Sequence, residues 1–409
     1  MFALFLEYDT LTGGRPRYRL QLAQHCYQAR VSIRSSPRTD LYNRQSTRCA
    51  SSDGLVCLCK WEMSLRAVLL RHLIASQTLD KMYSSTLGLP CMMKPDDFEI
   101  RELGTKDFDT FDDEQELFIQ FIRLNGLIAK MVEVCRRKGE SDASQAAYSI
   151  LRSLQEWIKQ LPQRFRLYHD GDQRRYQREV YELHINYFIV IIKFFHLCGH
   201  AVHATITSPV ALIASSCLSR LYEEILCREE IGYLLPVHNW FISVGSLPQI
   251  HALSRRFYSD DTCEEELGIL RKALQTMGIK WPQAQNLRNA VDRLQKRRVA
   301  TSKADQDRPD VAEAREGDYS EFLSYGHSSI LNGFIRELFP FPQSMCPRIS
   351  MLDSIDPVPG FGGNMDAGSL FLDEDYHLDW AMDLADIDGA SGMYDNSSSL
   401  YHTGNSLNI

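Results

Sequence analysis

His196, His200 and His203 are spaced i, i+4 and i+7, which on a helix lines three imidazoles along one face. Such a row could supply nitrogen ligands to a transition metal. No carboxylate lies in the same segment to orient the rings, and Gly199 weakens a helix there. The alternative reading is a group of polar residues closing the end of a buried helix. Cys49, Cys57 and Cys59 form a C-x7-C-x-C cluster, with Cys91 far beyond it. Zinc sites hold their thiolates at closer, fixed spacings, so these read as incidental thiols. The chain contains no H-E-x-x-H, G-x-S-x-G or P-loop, and no G-x-G-x-x-G placed after a strand. Gly360, Gly362 and Gly363 lie among prolines and acids, unlike a phosphate cradle. No active site is legible, and the expectation is a chain that is not an enzyme and carries no cofactor of its own.

Two charged stretches remain. Arg288, Arg293, Lys296, Arg297 and Arg298 make a basic patch. It could contact phosphates or act as a nuclear-import signal; it could equally be a solvated helix end whose cations complement the dipole. The segment SLFLDEDYHLDWAMDLADID interleaves apolar groups with seven carboxylates. Phe371 and Leu372 open it, and Leu372, Tyr376, Trp380 and Leu384 recur every fourth residue. Such a stretch cannot build a core, but on an apolar groove it can fold as a helix. That is the physics of an acidic activation segment. A helix docking back onto its own domain would have the same pattern.

The elements that would carry these groups are helical. An apolar content of 44% over 409 residues allows a sizeable core. From Trp61 onward the apolar period stays near 3.6 for more than two hundred residues, and strand-like alternation is scarce. Ile150, Leu151, Leu154, Trp157, Ile158 and Leu161 make a clean stripe ended by Pro162. Leu183 to Cys198 is apolar nearly all round and should be central. Phe194 to Ser219 lacks formal charge for 26 residues, but its histidines and Pro209 favour a buried helix, a break and a second helix over a membrane span. Thr262 and Glu265 fit a capping box. Residues 1–50 carry eight Arg, three acids and few apolar periods, which predicts poor order. From Ile349 onward there are eleven acids and no Lys or Arg, so the chain's net charge of −8 hides +3 on the preceding residues. The odd count of eleven scattered cysteines suits a reducing intracellular compartment.

LRHLIASQTLDKMYSSTLGLPCMMKPDDFEI, between Leu70 and Ile100, runs from a helix through a Gly88-Leu89-Pro90 turn into Asp96 and Asp97. It resembles the middle-homology region of fungal zinc-cluster transcription factors, where a "W-x-x-y-x-x-D-r" helix leads into "G-r-P" and "D-x-D". Ser76, Leu79, Asp80 and Lys81 stand on that helix pattern, without its tryptophan and with Leu89 in place of the basic residue. Leu151, Leu154, Trp157, Leu161 and Pro162 are similar to the family's helix ending in "W-x-x-x-L-P". Leu183, His184, Tyr187 and Ile191 resemble "L-H-x-x-Y-h-x-x-x-I", and Trp281, Ala284 and Leu294 a later helix. The resemblance spans about residues 65–298.

It implies a mostly α, large helical-bundle regulatory domain with a disordered N-terminal segment and an acidic tail. The expected divisions are an irregular Arg-rich segment at 1–60, the regulatory domain at 61–300, a linker at 301–348 and the tail at 349–409. The implied function is transcription regulation in the nucleus, of a metabolic or secondary-metabolite biosynthetic gene cluster. Transcription machinery or a co-activator would bind the tail, no membrane is involved, and a dimer is compatible. The family's six-cysteine DNA-reading module is missing. Zinc and DNA therefore enter only if a zinc cluster is supplied upstream or by a partner, the chain being naturally shortened or its gene model beginning late. The alternative is a co-regulator without direct DNA contact.

Overall fold

Asp112 starts the first long helix. Its carboxylate accepts the backbone N–H of Glu114 at 2.9 Å, and the Gln115 side chain accepts the Asp112 N–H at 2.9 Å. This reciprocal cap satisfies donors that a helix start leaves open, and Asp113, Glu114 and Glu116 add favourable charge to its first turn. A computed structural model of the chain describes residues 103–108, 112–136, 142–169, 171–199, 209–255, 260–306 and 335–352. It also describes Ile74, Gln77, Thr78, Asp80, Lys81, Met82 and Met93. The irregular segment expected at 1–60, the turn expected at Gly88, Leu89 and Pro90, and nearly all of the tail expected at 349–409 lie outside the described residues.

The fold is mostly α. The helices are α1 (Asp113–Arg136), α2 (Asp142–Gln160), α3 (Arg178–Cys198), α4 (Pro209–Cys227), α5 (Val237–Arg255), α6 (Asp260–Met277) and α7 (Gln283–Gln306). Among the described residues the strands are a two-residue antiparallel pair, β1 (Tyr168–His169) and β2 (Asp172–Gln173), turned by Gly171 at φ 90. The stripe expected on α2 is its buried face, with Ala147 and Leu154 at 0% exposure, and Pro162 follows the helix end. α3 is buried from Val180 to Phe195 and is wrapped by α1, α4 and α5. It is long and apolar enough to cross a membrane, yet 89% of its most apolar stretch is buried inside this bundle. The expected second helix follows as α4, which opens on Pro209, a residue suited to the first helical turn, and residues 200–208 between the two helices lie outside the described residues.

α4 ends in a Schellman motif. Glu230 N–H reaches Ile225 O at 3.0 Å and Glu229 N–H reaches Leu226 O at 2.9 Å, with Glu229 itself at φ 59. α4 and α5 meet at Gly245, where a Cβ would overlap the Leu218 side chain, and Ser215 Oγ donates to Gly245 O at 2.5 Å. α6 begins at Asp260, so Thr262 lies inside its first turn instead of capping it; the Asp260-Asp261 pair extends the helix N-terminally. α5, α6 and α7 pack on one another, and Trp281 Nε1 donates to Leu234 O at 3.2 Å at the start of α7.

Among the described residues the main core runs from Met82 to Cys346, and a smaller cluster joins Ile74, Leu103, Phe118 and Ile119. Part of the main core comes from a stretch expected to be linker. Ile335, Leu338, Phe339, Met345 and Cys346 are buried, and the Tyr187 hydroxyl donates to Leu338 O at 2.8 Å. Residues 335–352 are thus a strap across the bundle, closed by a short 3-10 turn at Ile349–Leu352 that packs on α4. The stretch expected as linker up to 348, together with 349–352, packs on the helical bundle, because its Phe and Met side chains find apolar partners that only the folded bundle supplies.

Candidate functional site

α3 is apolar by composition but carries Glu182, His184, Asn186 and Lys193 in buried positions. Buried polar groups need partners, so their surroundings locate the polar centres of the bundle. The Glu182 carboxylate accepts from Arg178 Nε at 3.2 Å, one helical turn back. His238 on α5 brings Nε2 to 3.7 Å from the other Glu182 oxygen, and its Nδ1 lies 2.9 Å from the Tyr222 hydroxyl on α4. With Tyr222 donating to Nδ1, the proton on Nε2 faces Glu182 at ion-pair range, too far for a direct hydrogen bond. The row Arg178–Glu182–His238–Tyr222 therefore ties three helices. Burial, and then the Glu182 charge, push the Tyr222 phenol well above its usual range.

His184 lies on the side of α3 that faces the strap. Its Nδ1 donates to Val180 O at 2.9 Å, Nε2 has no hydrogen-bond partner among the described residues, and burial lowers its pKa to about 4. The ring is therefore a neutral imidazole at neutral pH, packed edge-on against Phe341 at 5.9 Å. Trp157 stacks on Tyr187 at 5.3 Å, and Phe188 takes Phe339 and Phe341 of the strap. Of the sequence motifs, Trp157 thus packs on Tyr187, while His184 and Tyr187 both touch the strap. Deeper along α3, burial pulls the Lys193 ammonium down to about 7.

A second polar centre lies under the other end of the strap. Glu266 on α6 is fully buried, and its carboxylate accepts from Ser216 Oγ on α4 and from Gln249 Nε2 on α5 at 2.6 Å. Arg348 of the strap donates Nη2 to it at 3.2 Å and Nε at 3.3 Å. The same Nη2 lies 3.2 Å from Cys263 Sγ. Beside this pair, Cys217 of α4 and Cys346 of the strap bring their sulfurs to 2.9 Å. This centre joins four elements, and what it can do is hold the strap closed.

Of the basic patch, Arg293, Lys296 and Arg297 are exposed on α7, and Arg298 follows in the same helix. Their helix is held to α6 by Arg271, whose Nε donates to Asp292 at 2.8 Å and whose Nη2 reaches Gln295. His196 is half-buried in the last turn of α3, while His200 and His203 lie outside the described residues. Cys49, Cys57, Cys59 and Cys91 lie outside them too, as do Phe371, Leu372, Tyr376, Trp380 and Leu384. Among the described residues no three His, Cys, Asp or Glu side chains are grouped to hold a metal ion.

In the first motif, Asp80 is buried and its Oδ2 accepts the Met93 N–H at 2.9 Å, so the acid ties two points of the chain 13 residues apart. Sequence reasoning passed over Glu182, His238, Glu266 and Arg348. For Glu266 a signal existed: it shares a helix face with Cys263, Leu267 and Leu270, whereas Glu264 and Glu265 point to solvent. For Arg348 none did. Compared with models of known protein families, with curated proteins and with solved structures, the chain gives no match.

Proposed function

We propose that the chain is a transcription regulator resembling fungal zinc-cluster factors, acting in the nucleus on a metabolic or secondary-metabolite gene cluster. The observation that carries this reading is the ordered motif series through a helical body, followed by an acidic stretch with aromatic and aliphatic groups at helical spacing. In this reading the body positions the tail, and the tail contacts the transcription machinery or a co-activator through Phe371, Leu372, Tyr376, Trp380 and Leu384. The exposed Arg293, Lys296 and Arg297 with Arg298 serve nuclear import or phosphate contact.

Tethering the full chain to a reporter promoter through a heterologous DNA-binding domain tests it. Activation that falls to background in the Trp380→Ala, Leu384→Ala double variant is the expected result. No activation by the wild type, or activation indifferent to that double variant, overturns the role given to the tail. A co-regulator without direct DNA contact is the second reading, favoured by the C-x7-C-x-C spacing of Cys49, Cys57 and Cys59, which does not match a six-cysteine cluster. Sequencing the 5′ end of the transcript separates the two: an upstream exon encoding six suitably spaced cysteines restores direct DNA binding.

A further inference from the structure

Cys217 sits in the middle of α4, between Ser216, which binds Glu266, and Leu218, which packs at Gly245. Cys346 comes from the strap, 129 residues later. Neither is exposed at all, and their sulfurs are 2.9 Å apart. A disulfide needs about 2.05 Å between sulfurs, so closing the bond takes a shift of about 1 Å. Cys346 itself lies outside any helix, so the shift can be taken up on the strap and not on α4. Cys346 lies in a tight turn where the N–H groups of both Met345 and Cys346 bond to Pro342 O at 3.0 Å. Arg348, two residues on, holds the same turn against Glu266.

We propose that Cys217 and Cys346 form a reversible disulfide site that locks the 335–352 strap onto α4. A peroxide is the oxidant. One thiol sulfur attacks the peroxide O–O bond and becomes a sulfenic acid, releasing one water; the second sulfur then displaces the hydroxyl, which leaves with that thiol's proton as a second water. Each sulfur gives up one electron, and the peroxide takes both. A dithiol reductant reverses the bond by exchange. In the docked state the reaction is slow, because both sulfurs are sealed and burial holds the Cys217 thiol protonated. Oxidation therefore proceeds through openings in which the strap lifts, and the bond, once made, prevents that lifting.

The test uses the purified full-length chain, treated with hydrogen peroxide or with dithiothreitol, alkylated, and digested without reduction. The expected outcome is a linked peptide pair containing Cys217 and Cys346. The oxidised protein should also melt several degrees above the reduced one. Cys346→Ser loses both effects, whereas Cys227→Ser, which removes an exposed thiol, keeps both. Absence of the linked pair, Cys217 joined chiefly to another cysteine, or a redox-dependent melting shift that persists in Cys346→Ser would overturn the proposal. Should Cys346→Ser fold poorly, the peptide pair in the wild type and in Cys227→Ser still decides the matter.

Discussion

Glu182 and Glu266 both lie on the apolar side of a helix, and each is matched by an arginine, but the arginines come from different places. Arg178 stands four residues from Glu182 on the same helix. Arg348 reaches Glu266 from 82 residues away. The first pair forms whenever α3 forms, and its arginine keeps some contact with water. The second exists only when the strap is docked, and both partners are then sealed. Equal chemistry thus does two jobs: one pair satisfies a helix locally, the other fastens one part of the chain to another.

Breaking the remote pair should have the largest effect. Arg348→Met leaves the Glu266 carboxylate buried without its cation, and we expect a loss of about 3–5 kcal/mol in urea unfolding at neutral pH. The next effect comes from acid. The His184 imidazole, ordinarily near 6.5, is held at about 4 by burial. Between those values the unfolded chain binds more protons than the folded one. Stability present above pH 6.5 therefore falls as pH drops and levels off below about 4, by about 3 kcal/mol in all. Because His184 packs on Phe341, hydrogen exchange at pH 5 should rise in 335–352 before it rises around Tyr222 and His238. His184→Leu should flatten the acid limb of the pH–stability curve.

Cutting the local pair should matter less. Arg178→Met is expected to cost about 1 kcal/mol, since Arg178 is partly exposed and Glu182 keeps His238. A loss equal to that of Arg348→Met would erase the distinction between the two glutamates. The smallest effect is expected at Lys159, which pairs with Glu337 of the strap at 2.5 Å with both side chains 52% exposed. Lys159→Ala should change thermal stability by under about 0.5 kcal/mol, showing that buried ties and not this surface pair hold the strap.

The helical body was legible because its signal is repetitive. The Leu151–Leu161 stripe, the Pro162 stop and the all-apolar α3 are local patterns, and each maps directly onto burial. The strap was illegible for the opposite reason. Its prolines at 340, 342 and 347 interrupt any period, and its buried side chains are fixed by surfaces made elsewhere in the chain. The polar centres fall between these cases. Glu266 sits among three consecutive glutamates, and only its place on the helix face separates it from two solvated neighbours. The spacing of Trp157 and Tyr187 was visible, but that they stack on each other depends on how α2 and α3 cross, which no single helix encodes.

The strap also gives the fold an order in time. Glu266 leaves the ribosome 82 residues before Arg348 does, and the Tyr187 hydroxyl precedes its acceptor at Leu338 by 151. At a synthesis rate of roughly 5–20 residues per second, the bundle waits for seconds with a carboxylate that lacks its cation and an uncovered Phe188 before its closing piece is made. During that interval the growing chain presents an adhesive apolar face of the kind that chaperones bind. The moment at which the strap docks ends that exposure.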